Sequence, residues 1–221
     1  MITALLVSVN YSDYLEVALP YNTKQFDEII VLTIESDKAC QEVCSKHSNV
    51  KCLVFPDEIL KKNGKTFNKG ALLNKGFEYL NEIGYSDWLV MTDSDIVFPK
   101  NFKELLLSKE KDPNILYGMN RKYCLTKSLL NEYLKSRDIN LLTYNNTRGN
   151  TPGFGFCQIF MYNANKFTFF ENNNAGASDT KFVNTYFGGM GNVKNSEKGN
   201  FVIHLGKSRR NWSGRTTELF K

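Results

Sequence analysis

Asp87-Trp88-Leu89-Val90-Met91-Thr92-Asp93-Ser94-Asp95 is the stretch on which the reading of this chain turns. Asp87 to Met91 is an apolar run of strand length. Two carboxylates one residue apart follow it directly, and Ile96-Val97-Phe98-Pro99 follows them. In open α/β sheets, ligands bind at the carboxyl ends of the strands. Two carboxylates in a turn there can reach a hard divalent cation and the phosphates it carries. With ten aspartates in the chain, roughly half of one such triplet arises by chance, so the spacing alone is weak. The setting adds the weight: acids beside an apolar strand end cost desolvation unless something cationic sits with them. The pair therefore reads as a site rather than as a solvated turn.

Outward from this stretch, strands and helices alternate. Ile2 to Val9 reads as a strand, and Ser12-Asp13 can cap a short helix that Pro20 disturbs. Glu28 to Ile34 is a second strand, Asp37 to His47 is helical in composition, and Val50 to Phe55 is a third strand stopped by Pro56. Thr66 to Ile83 is the longest helix candidate, with Leu73, Phe77 and Leu80 on one face and Gly84 as its stop. This order predicts an α/β fold with a mostly parallel sheet, right-handed crossovers and both faces buried. After residue 112 the pattern loosens. Asn, Gly and aromatics become frequent, as in a part that carries loops and a pocket.

Composition bounds the class. The chain has 221 residues, 42% hydrophobic and 23% charged, which suits one globular domain and excludes a disordered or fibrous chain. The net charge of +5 does not by itself indicate nucleic acid. The apolar N-terminus has no basic lead or small-residue cleavage site, so it reads as a strand rather than a signal peptide. No apolar run is long enough to span a membrane. Cys40, Cys44, Cys52, Cys124 and Cys157 are odd in number and scattered. They read as reduced thiols in a cytoplasmic protein, with no second pair or nearby His to build a zinc site on Cys40 and Cys44.

Phe67-Asn68-Lys69-Gly70-Ala71-Leu72-Leu73-Asn74-Lys75-Gly76-Phe77, followed by the strand ending in Asp93-Ser94-Asp95, resembles nucleotide-sugar glycosyltransferases of the GT-A fold. The likeness is to family 2 and to the beta-1,4-galactosyltransferase and chondroitin-synthase type. It implies a metal-dependent enzyme that moves a sugar from a nucleotide-diphospho-sugar, a UDP-sugar first, to an acceptor hydroxyl. It implies that Asp95 ligates the metal, with Asp93 as its neighbour by the ribose. Leu6 to Leu15 resembles the family's first strand and loop, so Val9, Asn10 and Tyr11 would touch the nucleotide. Asp37 would contact the base, and Lys69, Asn74 and Ser94 belong to the same donor set. Gly153-Phe154-Gly155-Phe156 resembles the segment lining the donor and acceptor pocket. Ala177-Ser178-Asp179 lies where inverting members carry paired acids; here Ser178 replaces the first acid, and Asp179 matches the catalytic base. Phe201 to Gly206 resembles the late strand whose His, here His204, completes the metal site.

The chemistry of these residues agrees with that likeness. A divalent cation neutralises charge on a leaving diphosphate, and an Asp95 and His204 donor pair suits Mn²⁺, with Mg²⁺ as the alternative. A carboxylate such as Asp179 can take the acceptor proton, which implies a single displacement with inversion. The run from Lys207 through Arg209 and Arg210 to Arg215 contains no acid. It reads as a lid over the donor phosphates with Trp212 packing on the donor, as a solvated tail, or as a polyanion contact. The expected layout is a single domain: residues 1–112 for the nucleotide, 113–206 for acceptor and catalysis, and 207–221 as lid or tail. The acceptor class stays open among a glycan, a lipid-linked sugar, a protein and a modified nucleic acid, and the oligomeric state is not legible. Rival readings are a retaining transferase, a nucleotidyltransferase on a similar sheet, and a non-catalytic sugar- or nucleic-acid-binding module.

Overall fold

The computed structural model describes residues 1–64, 67–144, 155–171, 178–196, 200–206, 213–215 and 220. Its elements in chain order begin with β1 (Ile2–Val7), α1 (Ser12–Asn22), β2 (Glu28–Ile34), α2 (Lys38–Ser45) and β3 (Val50–Phe55). Then come α3 (Lys69–Glu82), β4 (Trp88–Asp93), β5 (Ile96–Val97), α4 (Phe102–Leu107), β6 (Tyr117–Gly118) and β7 (Asn120–Cys124). The rest are α5 (Lys127–Ser136), β8 (Thr143–Tyr144), β9 (Cys157–Met161), α6 (Ser178–Phe187), β10 (Lys194–Asn195) and β11 (Phe201–Leu205).

The larger sheet has the order β10-β6-β9-β4-β1-β2-β3, with β4, β1, β2 and β3 mutually parallel and β9 antiparallel to β4 and β6. Successive strand residues alternate faces, and two core layers follow from that alternation. Leu5, Leu32, Leu89 and Met91 pack against Leu73, Phe77 and Leu80 of α3 and Phe182 and Val183 of α6. Ala4, Leu6, Val31, Trp88 and Val90 pack on the other face against Leu15 and Leu19 of α1, Val43 of α2 and Phe102 of α4. A second sheet, β5-β11-β7-β8, stands beyond the turn after β4. The strand order reverses between β1 and β4, because the chain walks outward to β3 and α3 carries it back across the opposite face. Such a switch point leaves a crevice at the carboxyl ends of the strands.

Four expectations need correction. The sheet is not buried on both faces throughout: β3 is an edge strand, and all its residues are half-buried or exposed. Pro20 does not stop α1, which continues to Asn22. The hydrogen bond it forfeits belongs to the Glu16 carbonyl, and both residues lie on the exposed face where water can serve instead. The first strand ends at Val7, and the long helix starts at Lys69 rather than Thr66, because the Asn68 side chain accepts from Ala71 N at 3.1 Å and caps it. All five cysteines are free thiols. No helix among the described residues is long and apolar enough to cross a membrane.

Helix α3 is also a set of close approaches. A Cβ on Gly76 would meet Leu5 and Leu32 side-chain methyls at 2.8 and 3.0 Å, whereas one on Gly70 would meet the Phe170 carbonyl oxygen at 2.4 Å. Side-chain tips can rotate away, but a backbone carbonyl cannot. Gly70→Ala is therefore expected to destabilise the fold by about 1–3 kcal/mol, and more than Gly76→Ala does. Urea unfolding of the two variants measures this, and equal stability loss would contradict it.

Candidate active site

β4 delivers Asp93 to the crevice. Face alternation along β4 puts Leu89, Met91 and Asp93 on the side of α3 and α6, so the last residue of the strand emerges beside the first turns of both helices. Lys69, first in α3, donates to Asp93 Oδ1 at 2.7 Å. Asp179, in the first turn of α6, lines the same cleft. The cleft is narrow, with a cavity volume of about 10 Å³, and is walled by Leu73, Met91, Phe156 and Phe169. Gly155 adds backbone close to Asp179, since a Cβ there would stand 3.5 Å from Oδ2.

The electrostatics of this trio are mutual. Burial alone would lower the Lys69 pKa, but the carboxylates of Asp93, Asp179 and Asp95 outweigh it and raise it, holding the ammonium charged. Burial raises the Asp179 pKa, the Lys69 charge pulls it down and the Asp93 charge pushes it up, leaving it at about 7. A carboxyl near neutrality in a cleft is the form of group that exchanges a proton at working pH.

The turn after β4 carries Asp95 to the second sheet. Leu205 N donates to the Asp95 carbonyl at 2.8 Å, and His204 pairs in register with Ile96. These bonds bring His204 Nε2 to 3.6 Å from Asp95 Oδ2, with both side chains nearly buried. His204 Nδ1 lies 3.2 Å from the Leu205 carbonyl; a proton on Nδ1 would leave Nε2 with a lone pair facing Asp95. Burial raises the Asp95 pKa and the Asp93 charge adds to that, against the opposing pull of His204 and Lys69. Asp95 Oδ1 is buried without a hydrogen-bond partner. A buried carboxylate oxygen left unpaired beside an imidazole nitrogen fits an O/N donor pair for a divalent cation. Among the described residues no third His, Cys, Asp or Glu completes a group of three.

Other residues singled out from sequence have different partners. Asp37 caps α2 by accepting from Cys40 N at 3.1 Å, and its second oxygen accepts from Asn10 N at 2.7 Å. Both oxygens brace the loop after β1, where Asn10 holds a left-handed φ of 62°. Asn74 spends its amide on the Phe169 backbone, donating at 3.1 Å and accepting at 2.6 Å, so it clamps the cleft wall rather than reaching into the cleft. Arg215 is not at Lys69 and Asp93. It donates to Asp13 and to the Asn10 carbonyl, and lies over the Tyr11 and Tyr14 rings at 4.9 Å each. Val9 is core, and Ser94 is buried in the turn. Phe156 packs in the core and touches the cleft. Gly153, Phe154, Lys207, Arg209, Arg210 and Trp212 lie outside the described residues. Phe160 and Tyr162 are fully buried core.

Two residues were missed. Gln158 of β9 donates toward Asp179 Oδ1 at 3.5 Å, and its own Oε1 is buried without a partner. Its signal was a lone amide in the apolar run Cys157–Met161. Arg121 of β7 lies 4.5 Å from the Phe156 ring and 5.0 Å from the Tyr123 ring, beside His204. Nothing in its local sequence marked it, since the contacts come from β9 and from its own sheet.

Residues 3–169 match the model for glycosyl transferase family 2. The chain belongs to glycosyl transferase family 2. No curated protein matches it significantly. Among solved structures, S. aureus TarS (residues 1–349) superimposes with a TM-score of 0.59 at 15% identity over 93% of this chain and 60% of that one. Glucosyl-3-phosphoglycerate synthase from Mycobacterium tuberculosis, solved with Mn²⁺, uridine diphosphate and phosphoglyceric acid, gives 0.52 at 14% identity over 95% and 72%. The chain spans only 31% of the WbbM bifunctional glycosyltransferase. At these identities the likeness shows the α/β glycosyltransferase fold.

The Asp13–Arg215 pair of this family 2 domain makes a pH-dependent contribution. Burial alone would raise the Asp13 carboxyl, but hydrogen bonds from Arg215 and Phe220 N and the Arg215 charge outweigh it and hold it below the ordinary 3.8. A depressed carboxyl pKa stabilises the fold above the unfolded value and loses that effect as pH falls through the folded one. Arg215→Ala is expected to cost roughly 1–3 kcal/mol at neutral pH. The cost should shrink below pH 3.8, and denaturant unfolding at several pH values measures it.

Proposed function

We propose that this family 2 domain transfers a sugar from a nucleotide-diphospho-sugar, a UDP-sugar first, to an acceptor hydroxyl with inversion at the anomeric carbon. The observation that carries the proposal is the convergence of Lys69, Asp93 and Asp179 in one cleft, with the Asp95–His204 pair just past the same turn. Family membership makes sugar transfer the chemistry to test first.

Each group then has a task. Asp179 accepts the proton of the attacking hydroxyl; a carboxyl near pKa 7 is basic enough to take it and still ionised in part at neutral pH. Asp93 is tied to Lys69, so Asp179 is the carboxylate left to act as base. Lys69 supplies a buried positive charge beside the developing diphosphate charge. Asp95 and His204 would hold a divalent cation, Mn²⁺ or Mg²⁺, which when bound neutralises the leaving diphosphate. The Mn²⁺ and uridine diphosphate in the structure of the synthase with a similar fold support that choice. Gln158, whose amide nitrogen points to Asp179, lines the same cleft and would help to orient that carboxylate.

The test is release of nucleoside diphosphate from a panel of UDP-sugars with Mn²⁺ present. Asp179→Asn is expected to lower kcat by about 10²–10⁴-fold while uridine diphosphate binding persists. In the unsubstituted chain kcat should climb as pH rises through about 7, where Asp179 loses its proton. Unchanged kcat in Asp179→Asn would overturn the base assignment. A retained anomeric configuration would overturn inversion, and release of pyrophosphate would favour nucleotidyl transfer.

A further inference from the structure

A second concavity, of about 700 Å³, lies between the end of α1, the end of α5, and β5 and β11. That volume is within the range of ligand sites. Ile203 and Val97, paired across β11 and β5, line it. Their neighbours His204 and Ile96 alternate to the other face of the sheet. The groove and the Asp95–His204 pair therefore occupy opposite faces of one strand pair, and β5 is the edge of that sheet. One strand pair thus separates an occupant of the groove from the Asp95–His204 pair.

The lining has a definite chemistry. Lys24, Lys100 and Arg137 bring three positive charges to it, and the described lining includes no acid. None of the three forms an ion pair among the described residues. Arg137 closes α5 in a left-handed conformation, φ 60°, where glycine or asparagine is usual. An arginine there keeps a strained backbone and places its guanidinium at the groove, over the Tyr133 ring at 5.8 Å. Tyr21, Tyr133 and Phe201 offer half-buried aromatic faces. Gln25 lines the groove with only 6% exposure, and its side chain makes no hydrogen bond among the described residues. Its amide is not among the buried side-chain atoms cut off from water, so it stands open to an incoming hydroxyl.

We propose that this groove binds an acidic oligosaccharide, the chain that presents the acceptor hydroxyl to the transfer cleft. Cations answer its anionic groups, aromatic faces stack on its rings, and the Gln25 amide answers its hydroxyls. A neutral glycan would leave three cations unused, and an oligonucleotide, which meets the same cations and rings, is the contrasting outcome of the test. The class of occupant rests on the transferase reading above, but the binding does not require turnover.

The experiment is calorimetry of the whole chain carrying Asp179→Asn, so that no transfer intervenes. Four probes are compared: tetragalacturonate, a phosphorylated maltotetraose, neutral maltotetraose and a thymidine tetranucleotide. The proposal expects an acidic tetrasaccharide to bind, and the carboxylated and phosphorylated arms identify which anion is preferred. Neutral maltotetraose and the oligonucleotide should bind more weakly. Lys24→Glu with Arg137→Glu should weaken the acidic probe about tenfold; both residues are exposed, and unchanged uridine diphosphate binding checks that the fold persists. Gln25→Leu should weaken it further without altering the preference for charge. The proposal is overturned if neither acidic tetrasaccharide binds, if the double charge reversal leaves binding unchanged, or if the oligonucleotide binds more tightly than both. Binding together with absent sugar transfer in the unsubstituted chain would sink the transferase reading and leave the groove standing.

Discussion

The ammonium of Lys69, set among Asp93, Asp179 and Asp95, is the interaction on which the rest of the site depends. Three carboxylates at the mouth of one strand repel one another, and burial raises the cost of each charge. A single buried cation lets Asp93 stay paired while Asp179 sits near neutrality. Without it, the crevice would gather negative charge with nothing to offset it. With it, the same crevice holds a positive charge beside a titratable carboxyl.

Helix α3 exists in its observed form to deliver that cation. Asn68 caps the helix and also donates to Glu171 at 2.9 Å, Gly70 lets the Phe170 carbonyl close in, Asn74 clamps Phe169, and Gly76 seats the helix on Leu5 and Leu32. Residues that resemble a family motif in sequence thus turn out to be packing devices around Lys69. They hold the 167–171 wall of the cleft and the helix as one piece. Transfer chemistry needs groups fixed to within fractions of an ångström, and backbone clamps supply that where exposed side chains would not.

The first half of the fold was legible because its signals are local. Continuous apolar runs gave β1, β2, β3 and β4, a positive-φ glycine ended α3, and Asp93-Ser94-Asp95 marked the switch point. Asp95 beside His204 was legible only through resemblance, since 109 positions separate them in the sequence. What could not be read is set by tertiary partners. Arg215 looked like a phosphate ligand because no acid lies near it in sequence, yet Asp13 meets it across the fold. Asp37 and Asn74 looked free to touch a donor, yet backbone groups brought by the sheet and by the cleft wall consume them. Arg121 and the basic groove have no local pattern, since they appear only when β7, β9, α1, α5 and β11 come together.

The account's central claim is that burial raises Asp179 while Lys69 restrains it. Carboxylate carbon chemical shifts followed through a pH titration measure this directly, in the unsubstituted chain and in Lys69→Met. The account predicts that Asp179 titrates at about 7 in the former and higher in Lys69→Met, where the restraining charge is gone. An Asp179 that titrates at the ordinary 3.8 in both chains would contradict it.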